Sequence, residues 1–174
     1  MKVGFGEILI AEATEDDIDW ILEIESEAIS PPWTHGALLN EIYRDDSFFA
    51  AAFDMSAVQA ESSAGDSDSE QPAAKREKGV GLGFVILRRA GDEGELLQIA
   101  VCKSARRRGI ADKLMLEALG FAKARALKSV FLEVRKSNES AAALYEKHGF
   151  KPVRTRMDYY SDPVEDAIVM VFKT

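Results

Sequence analysis

The chain has 174 residues, a length that suits one domain able to bury most of its apolar surface without disulfide or metal staples. Apolar residues make up 47% and charged residues 30%, a balance that excludes a disordered or membrane-embedded class. A formal net charge of −8 argues against a general polyanion binder, including direct nucleic-acid binding, and suits a cationic partner.

The first stretch, "MKVGFGEILIAEATEDD", is broken by Glu7 and Glu12 and offers no small-residue cleavage site, so no signal peptide is expected. No apolar run reaches bilayer length, and Cys102 is the only cysteine; a cytosolic protein without membrane contact is expected. The apolar residues of "EILIAEAT" predict a strand that ends at Thr14, a helix cap for "EDDIDWILEIESEAIS". Within that helix Ile18, Ile21, Leu22 and the pair Ile24–Glu25 keep an approximately helical stripe. Pro31 and Pro32 stop it, Thr34 caps a second helix in "HGALLNEIYRDD", and "SFFAAAF" predicts a strand.

Residues 54–79 change to Ser, Ala, Gly, Asp and Glu, cannot supply a core face, and are expected to form a flexible insertion in a single domain. "VGLGFVILRRA" and "GELLQIAVCK" flank "GDEG" as a hairpin. After Gly109 the apolar positions Ile110, Leu114, Met115, Ala118, Leu119 and Ala122 share one helix face. "SVFLEV" is a buried strand, "NESAAALYEKHG" a short helix, and "FKPVRTRMDYY" and "DAIVMVF" the closing strands. The order β-α-α-β-β-β-α-β-α-β-β predicts an α/β fold, a mixed sheet with helices on its faces.

"KSARRRGIADKLML" places the densest positive charge of an acidic chain between a strand and a helix start. A helix N-terminus leaves N–H groups unpaired and carries partial positive charge, a setting suited to pyrophosphate. Neighbouring arginines add charge-assisted hydrogen bonds, although the same cluster also reads as solvated charge. Neither a Gly-Lys-Ser/Thr phosphate loop nor a G-x-G-x-x-G with its distant acidic residue is present.

Arg106-Arg107-Arg108-Gly109-Ile110-Ala111 resembles the Q/R-x-x-G-x-G/A signature of the GNAT acyltransferases, and "LEVRKSNESAAALYEKHGF" resembles that family's second block. "IESEAISPPWT" and "DYYSDPVEDAIVM" resemble its RimI-like branch, which acetylates the N-terminal alanine of a small-subunit ribosomal protein. The resemblance spans nearly the whole chain outside residues 54–79. It implies a mostly antiparallel sheet with splayed central strands and acetyl-CoA as co-substrate. It further implies that Ile99, Ala100 and Val101 offer backbone groups to pantetheine. The turn containing Arg106, Arg107, Arg108, Gly109, Ile110, Ala111 and Asp112 would hold the pyrophosphate, and Asn138 the cofactor arm from the other side.

In "SVFLEVRK" Val130, Leu132 and Val134 face one way and Phe131, Glu133 and Arg135 the other. Read from the residues alone, Glu133 is either a cleft carboxylate whose pKa burial raises or an exposed strand glutamate paired with an arginine. The resemblance implies the first: Glu133 matches the family's proton acceptor and Tyr145 its proton donor. It also places the Pro31-Pro32-Trp33 loop and Tyr159-Tyr160 beside a substrate N-terminus, with Trp33 open to a second role as a core anchor. His35 and His148 lack metal-ligand spacing, so no metal is expected, and His148 suits a helix C-terminus. The leading expectation is direct acetyl transfer to an N-terminal alanine. A broader N-terminal acetyltransferase and a non-catalytic acyl-CoA-binding or partner-binding module are the alternatives.

Overall fold

The computed structural model describes residues 7–28, 31–56 and 79–174. Its helices are α1 (Ile18–Ala28), α2 (His35–Ile42), α3 (Ile110–Ala124) and α4 (Glu139–Lys147). Its strands are β1 (Ile8–Glu12), β2 (Ser47–Asp54), β3 (Val80–Ala90), β4 (Glu93–Val101), β5 (Ser129–Arg135), β6 (Lys151–Ser161) and β7 (Val164–Lys173). They form one sheet in the order β1-β2-β3-β4-β5-β7-β6, antiparallel at every junction except the parallel β4–β5 pair. The element order is the one that hydrophobic periodicity predicts.

Local chemistry sets the boundaries. The first helix opens as a 3-10 turn, Glu15–Asp17, because Asp17 Oδ2 accepts from both the Thr14 amide (2.7 Å) and the Thr14 hydroxyl (2.9 Å). Thr34 Oγ1 accepts from the Ala37 amide at 3.2 Å and starts α2. That helix stops at Ile42, short of the expected "YRDD" tail, where Arg44 folds onto Asp46 through two 2.8 Å bonds.

Both sheet faces are covered, so β3 reads as a continuous apolar run. Val85 and Leu87 face Leu114, Met115, Leu132 and Met170 on the α3 side. Phe84 and Ile86 face Ile18, Ile21, Leu38 and Phe53 on the α1–α2 side. The second layer covers mainly β1 to β4, which leaves the β5–β7–β6 end of that face uncovered by helix. The α3–α4 side carries its own tether: Asp112 Oδ1 lies 2.7 Å from Lys147 Nζ and 2.8 Å from His148 Nε2, at the end of α4. Hydrogen bonds from Lys147 and then His148 hold the Asp112 carboxyl below its ordinary pKa.

Of the insertion expected over residues 54–79, residues 57–78 lie outside the described residues. Asp54 belongs to β2, is 5% exposed, and faces Val80 across the sheet. We propose that the chain is one domain and that the strands on either side close without residues 57–78. Replacing those residues by a four-residue Gly/Asn turn is expected to keep a single cooperative urea transition; a broadened transition would refute this. Leu114→Ala, in the centre of the α3 face, is expected to lower stability by about 2–5 kcal/mol in the same measurement. The depressed Asp112 pKa stabilises the fold above the unfolded value of about 4, and this stabilisation is lost as pH falls through the folded value. Asp112→Asn should therefore lower Tm near pH 7, by calorimetry, and the difference from the parent should shrink steadily as pH is lowered below about 4.

Candidate active site

β4 and β5 share only three rungs: Glu93–Ser129, Gly94–Val130 and Glu95–Phe131. Beyond them β4 runs on to Val101 and β5 to Arg135 without pairing to each other. The divergence begins at a bulge. Across β3, Ile86 faces Gln98 and Leu87 faces Leu96, so Leu97 is an extra residue and β4 bends. A Cβ at Gly83 would lie 2.6 Å from the Ala100 carbonyl, so glycine is what keeps the bent strand on β3. One edge of Ile99–Val101 thus faces a wedge and not a neighbouring strand. Such an edge offers alternating N–H and C=O groups to an extended amide-bearing chain. At the root of the wedge a hollow of about 230 Å³ is lined by Glu95, Phe131, Glu133 and Arg154, among others.

At the far end of β4 the chain makes a 3-10 turn, Lys103–Ala105, and then enters α3. Ala105 (1% exposed) and Ile110 (2%) anchor the turn, and Arg106 to Gly109 are exposed between them. Arg107 has φ +59° and Gly109 φ +76°, left-handed backbone that turns the chain sharply into the helix. Gly109 is the N-cap and makes no side-chain cap, so the first N–H groups of α3 are uncapped by side chain. Arg106 is partly committed, its Nε donating to the Val101 carbonyl at 3.1 Å. The Asp112 carboxylate is committed to Lys147 and His148, leaving only its backbone to face the turn. Backbone donors, exposed guanidinium groups and a neutralised acid fit a diphosphate.

Glu133 faces the α1–α2 side of the sheet, the side without helical cover at β5. It pairs with Arg156 on β6, and its side chain is 21% exposed. The Glu133 carboxylate is therefore not the isolated buried group that a cleft base reading requires; the arginine-paired arrangement is present at the cleft itself. The Tyr159 hydroxyl hydrogen-bonds to it, which pushes the Tyr159 pKa up. Tyr160 is also raised, by burial first and by the Glu133 charge second. A wide bulge makes this possible: β6 spends Met157, Asp158 and Tyr159 between the rungs Arg156–Ala167 and Tyr160–Glu165. Asp158 adopts φ +49° there and donates its amide to Asp166 Oδ1 at 3.2 Å.

The two tyrosine rings meet edge-on at 5.1 Å, Arg156 lies 4.2 Å over Tyr159, and Arg135 lies 4.1 Å over Tyr160. Arg135 also donates to the carbonyls of Asp162 (2.9 Å) and Pro163 (3.2 Å), fixing the tip of the β6–β7 hairpin. Tyr145, on α4, is 8% exposed; burial pushes its hydroxyl well above the ordinary tyrosine range, with a smaller contribution from Tyr160. Glu133, Tyr159, Tyr160 and Tyr145 thus form one electrostatically linked group.

Asn138 sits just beyond the end of β5 and caps α4, its Oδ1 accepting from the Ala141 amide and the Ser140 hydroxyl, both at 3.1 Å. Only its amide N–H₂ is left for a ligand. Trp33 is half-buried against the α1–α2 core, the anchor role left open by sequence, and borders a hollow of about 480 Å³ with Thr34, Asn40, Arg44 and Arg88. Sequence reading did not single out Arg156, the ion-pair partner of Glu133, because nothing local links β5 to an edge strand more than twenty residues on. It also passed over Gln98, although a polar residue inside "ELLQIAV" was a visible signal. Among the described residues no group of side chains could hold a metal ion.

The model of the acetyltransferase (GNAT) family matches residues 21–150. The [ribosomal protein bS18]-alanine N-acetyltransferase of Haemophilus ducreyi (strain 35000HP / ATCC 700724) is 28% identical over 165 residues, 93% of this chain and 97% of that one. The crystal structure of the ribosomal-protein-S18-alanine N-acetyltransferase from Escherichia coli superposes with a TM-score of 0.74 at 25% identity, covering 96% of this chain and 94% of that one. Arabidopsis thaliana NAA60 in complex with acetyl-CoA shares the fold, with a TM-score of 0.76 at 20% identity over 96% of this chain and 98% of that one. The family match includes both walls of the wedge, the basic turn and Tyr145: this chain belongs to the GNAT acetyltransferase family and is an acetyl-CoA-dependent N-acetyltransferase.

Proposed function

We propose that this enzyme acetylates the α-amino group of a protein N-terminus, the N-terminal alanine of ribosomal protein bS18, in the cytoplasm. The observation that carries this reading is the group of Glu133, paired with Arg156, and Tyr159, Tyr160 and Tyr145 near the root of the opened β4–β5 wedge. Relatives named for bS18 alanine acetylation match almost end to end and support the acceptor class. The acidic chain suits a cationic acceptor. No helix among the described residues is long and apolar enough to cross a membrane.

In this reading the Ile99–Val101 edge bonds the pantetheine amides, and the turn from Arg106 through Asp112 holds the pyrophosphate by its N–H groups, with Arg107 and Arg108 adding charge. The Asn138 amide N–H₂ contacts the arm from the β5 side. Acetyl-CoA supplies an activated thioester carbonyl. A protein α-amino group has a pKa near 7.7–8.0, so most of it is protonated at neutral pH and cannot attack. Glu133, held between Arg156 and Tyr159, takes up the amine proton, directly or through one water. A C–N bond forms as the C–S bond breaks. Tyr145 keeps its proton because it is buried, delivers it to the departing sulfur, and recovers one from the second proton that the nitrogen sheds as the amide forms. Trp33, Tyr159 and Tyr160 flank the acceptor. Transfer is direct, within a ternary complex, and needs no acyl-enzyme.

Glu133→Gln is expected to lower kcat by about 10²–10⁴ while acetyl-CoA binding by calorimetry stays within about threefold; unchanged turnover would overturn the base role. Because burial raises the Tyr145 pKa, the kcat–pH profile should show no alkaline decline below about pH 10. A Tyr145→Phe variant that keeps the parent kcat would overturn the donor role, and an alkaline decline near pH 8 that vanishes in that variant would overturn the burial-raised pKa. In a panel of peptides beginning with Ala, Ser, Met or Glu, the Ala-initiated bS18 sequence should give the highest kcat/KM. Equal rates across the panel would indicate broad N-terminal specificity, and acetyl-CoA binding without any transfer a non-catalytic module.

A further inference from the structure

Glu25 lies on the apolar face of α1, four residues after Ile21 and seven after Ile18, and is completely buried. A buried carboxyl on a packing face is costly unless something receives it. On one side its Oε2 accepts the Trp33 amide at 3.0 Å. On the other stands Gln98, 7% exposed, whose side chain partly offsets the larger upward push of burial on the Glu25 pKa. Glu25 Oε1 and Gln98 Oε1 have no hydrogen-bond partner among the described residues.

The location gives the contact its meaning. Gln98 is the first residue after the Leu97 bulge, three residues beyond the last β4–β5 rung at Glu95, where β4 already runs clear of β5. It faces the same side of the sheet as Ala100 and, across the wedge, Glu133. Trp33 belongs to the loop before α2 assigned above to the acceptor. One carboxyl therefore spans from the acceptor-side loop to the strand assigned to the donor.

We propose that Glu25 is a positioning residue that, with Gln98, ties the Trp33 loop to the opened strand β4 and so holds the acceptor in register with the donor. The inference rests on the acceptor and donor assignments made above. An apolar residue of similar size would pack on α1 without the desolvation cost but could not make this link.

The test uses the full chain carrying Glu25→Ala, Glu25→Gln, Gln98→Met or the Glu25→Ala/Gln98→Met pair. Hydrogen exchange at the Trp33 amide reads the tie without reference to any acceptor. Exchange should quicken at least about tenfold in Glu25→Ala and Gln98→Met, and stay within about threefold of the parent in Glu25→Gln, whose carboxamide still accepts from Trp33 and offers an N–H to Gln98. With the Ala-initiated bS18 peptide, KM should rise about tenfold in the same two variants while the CoA Kd stays within about twofold. The double variant should be no worse than either single one. Unchanged Trp33 exchange in Gln98→Met, additive effects, or equal loss of peptide and CoA affinity would overturn the proposal. If Glu25→Ala does not fold, Gln98→Met and Glu25→Gln decide the question. A parent enzyme that shows the exchange pattern but acetylates no peptide would instead count against the proposed function.

Discussion

The architecture depends on a parallel strand pair that stops pairing after three rungs. A parallel ladder that continued past Glu95–Phe131 to the end of β5 would fill the sheet and leave no site. Stopping it exposes backbone donors and acceptors along two strands, groups that are costly to leave unsatisfied away from water. The wedge is consequently a place that favours a ligand carrying its own amides. The Leu97 bulge supplies the bend and Gly83 permits it, while both strands remain anchored on their outer sides by β3 and β7.

Two further devices turn the wedge into a site. The basic turn adds diphosphate affinity at the open end by geometry as much as by charge, through left-handed backbone at Arg107 and Gly109. At the other side of the sheet, the bulge in β6 swings Tyr159 toward Glu133. Charge is distributed by function there. Arg156 balances Glu133, Arg135 braces the hairpin tip, and Tyr145 is kept neutral by burial. An edge strand, free of a further neighbour, can afford so irregular a backbone.

Sequence and structure agree most closely where burial is periodic. The α3 face, from Ile110 to Ala122, and the alternation Val130–Leu132–Val134 on β5 are found as predicted. Agreement is weakest where an interaction joins distant segments. Residues alone left Glu133 between a cleft base and an arginine-paired glutamate, and the folded chain combines the two by setting Arg156 at the cleft. Arg106 and Asp112 belong to the expected cofactor turn, yet Arg106 also bonds the Val101 carbonyl and Asp112 is held by Lys147 and His148. Neither partnership leaves a mark in the local pattern.

What the sequence determined by itself is the order and type of the elements, the helix caps, the apolar faces and the position of the basic turn ahead of a helix. These follow from nearest-neighbour chemistry: side-chain period, capping oxygen atoms and the conformational freedom of glycine. Only the tertiary structure decided how far β4 and β5 stay paired, which arginine meets Glu133, and that the buried Glu25 receives the Trp33 amide. Those outcomes depend on strand register and bulges fixed by contacts between segments tens of residues apart, a kind of information that no short window of sequence carries.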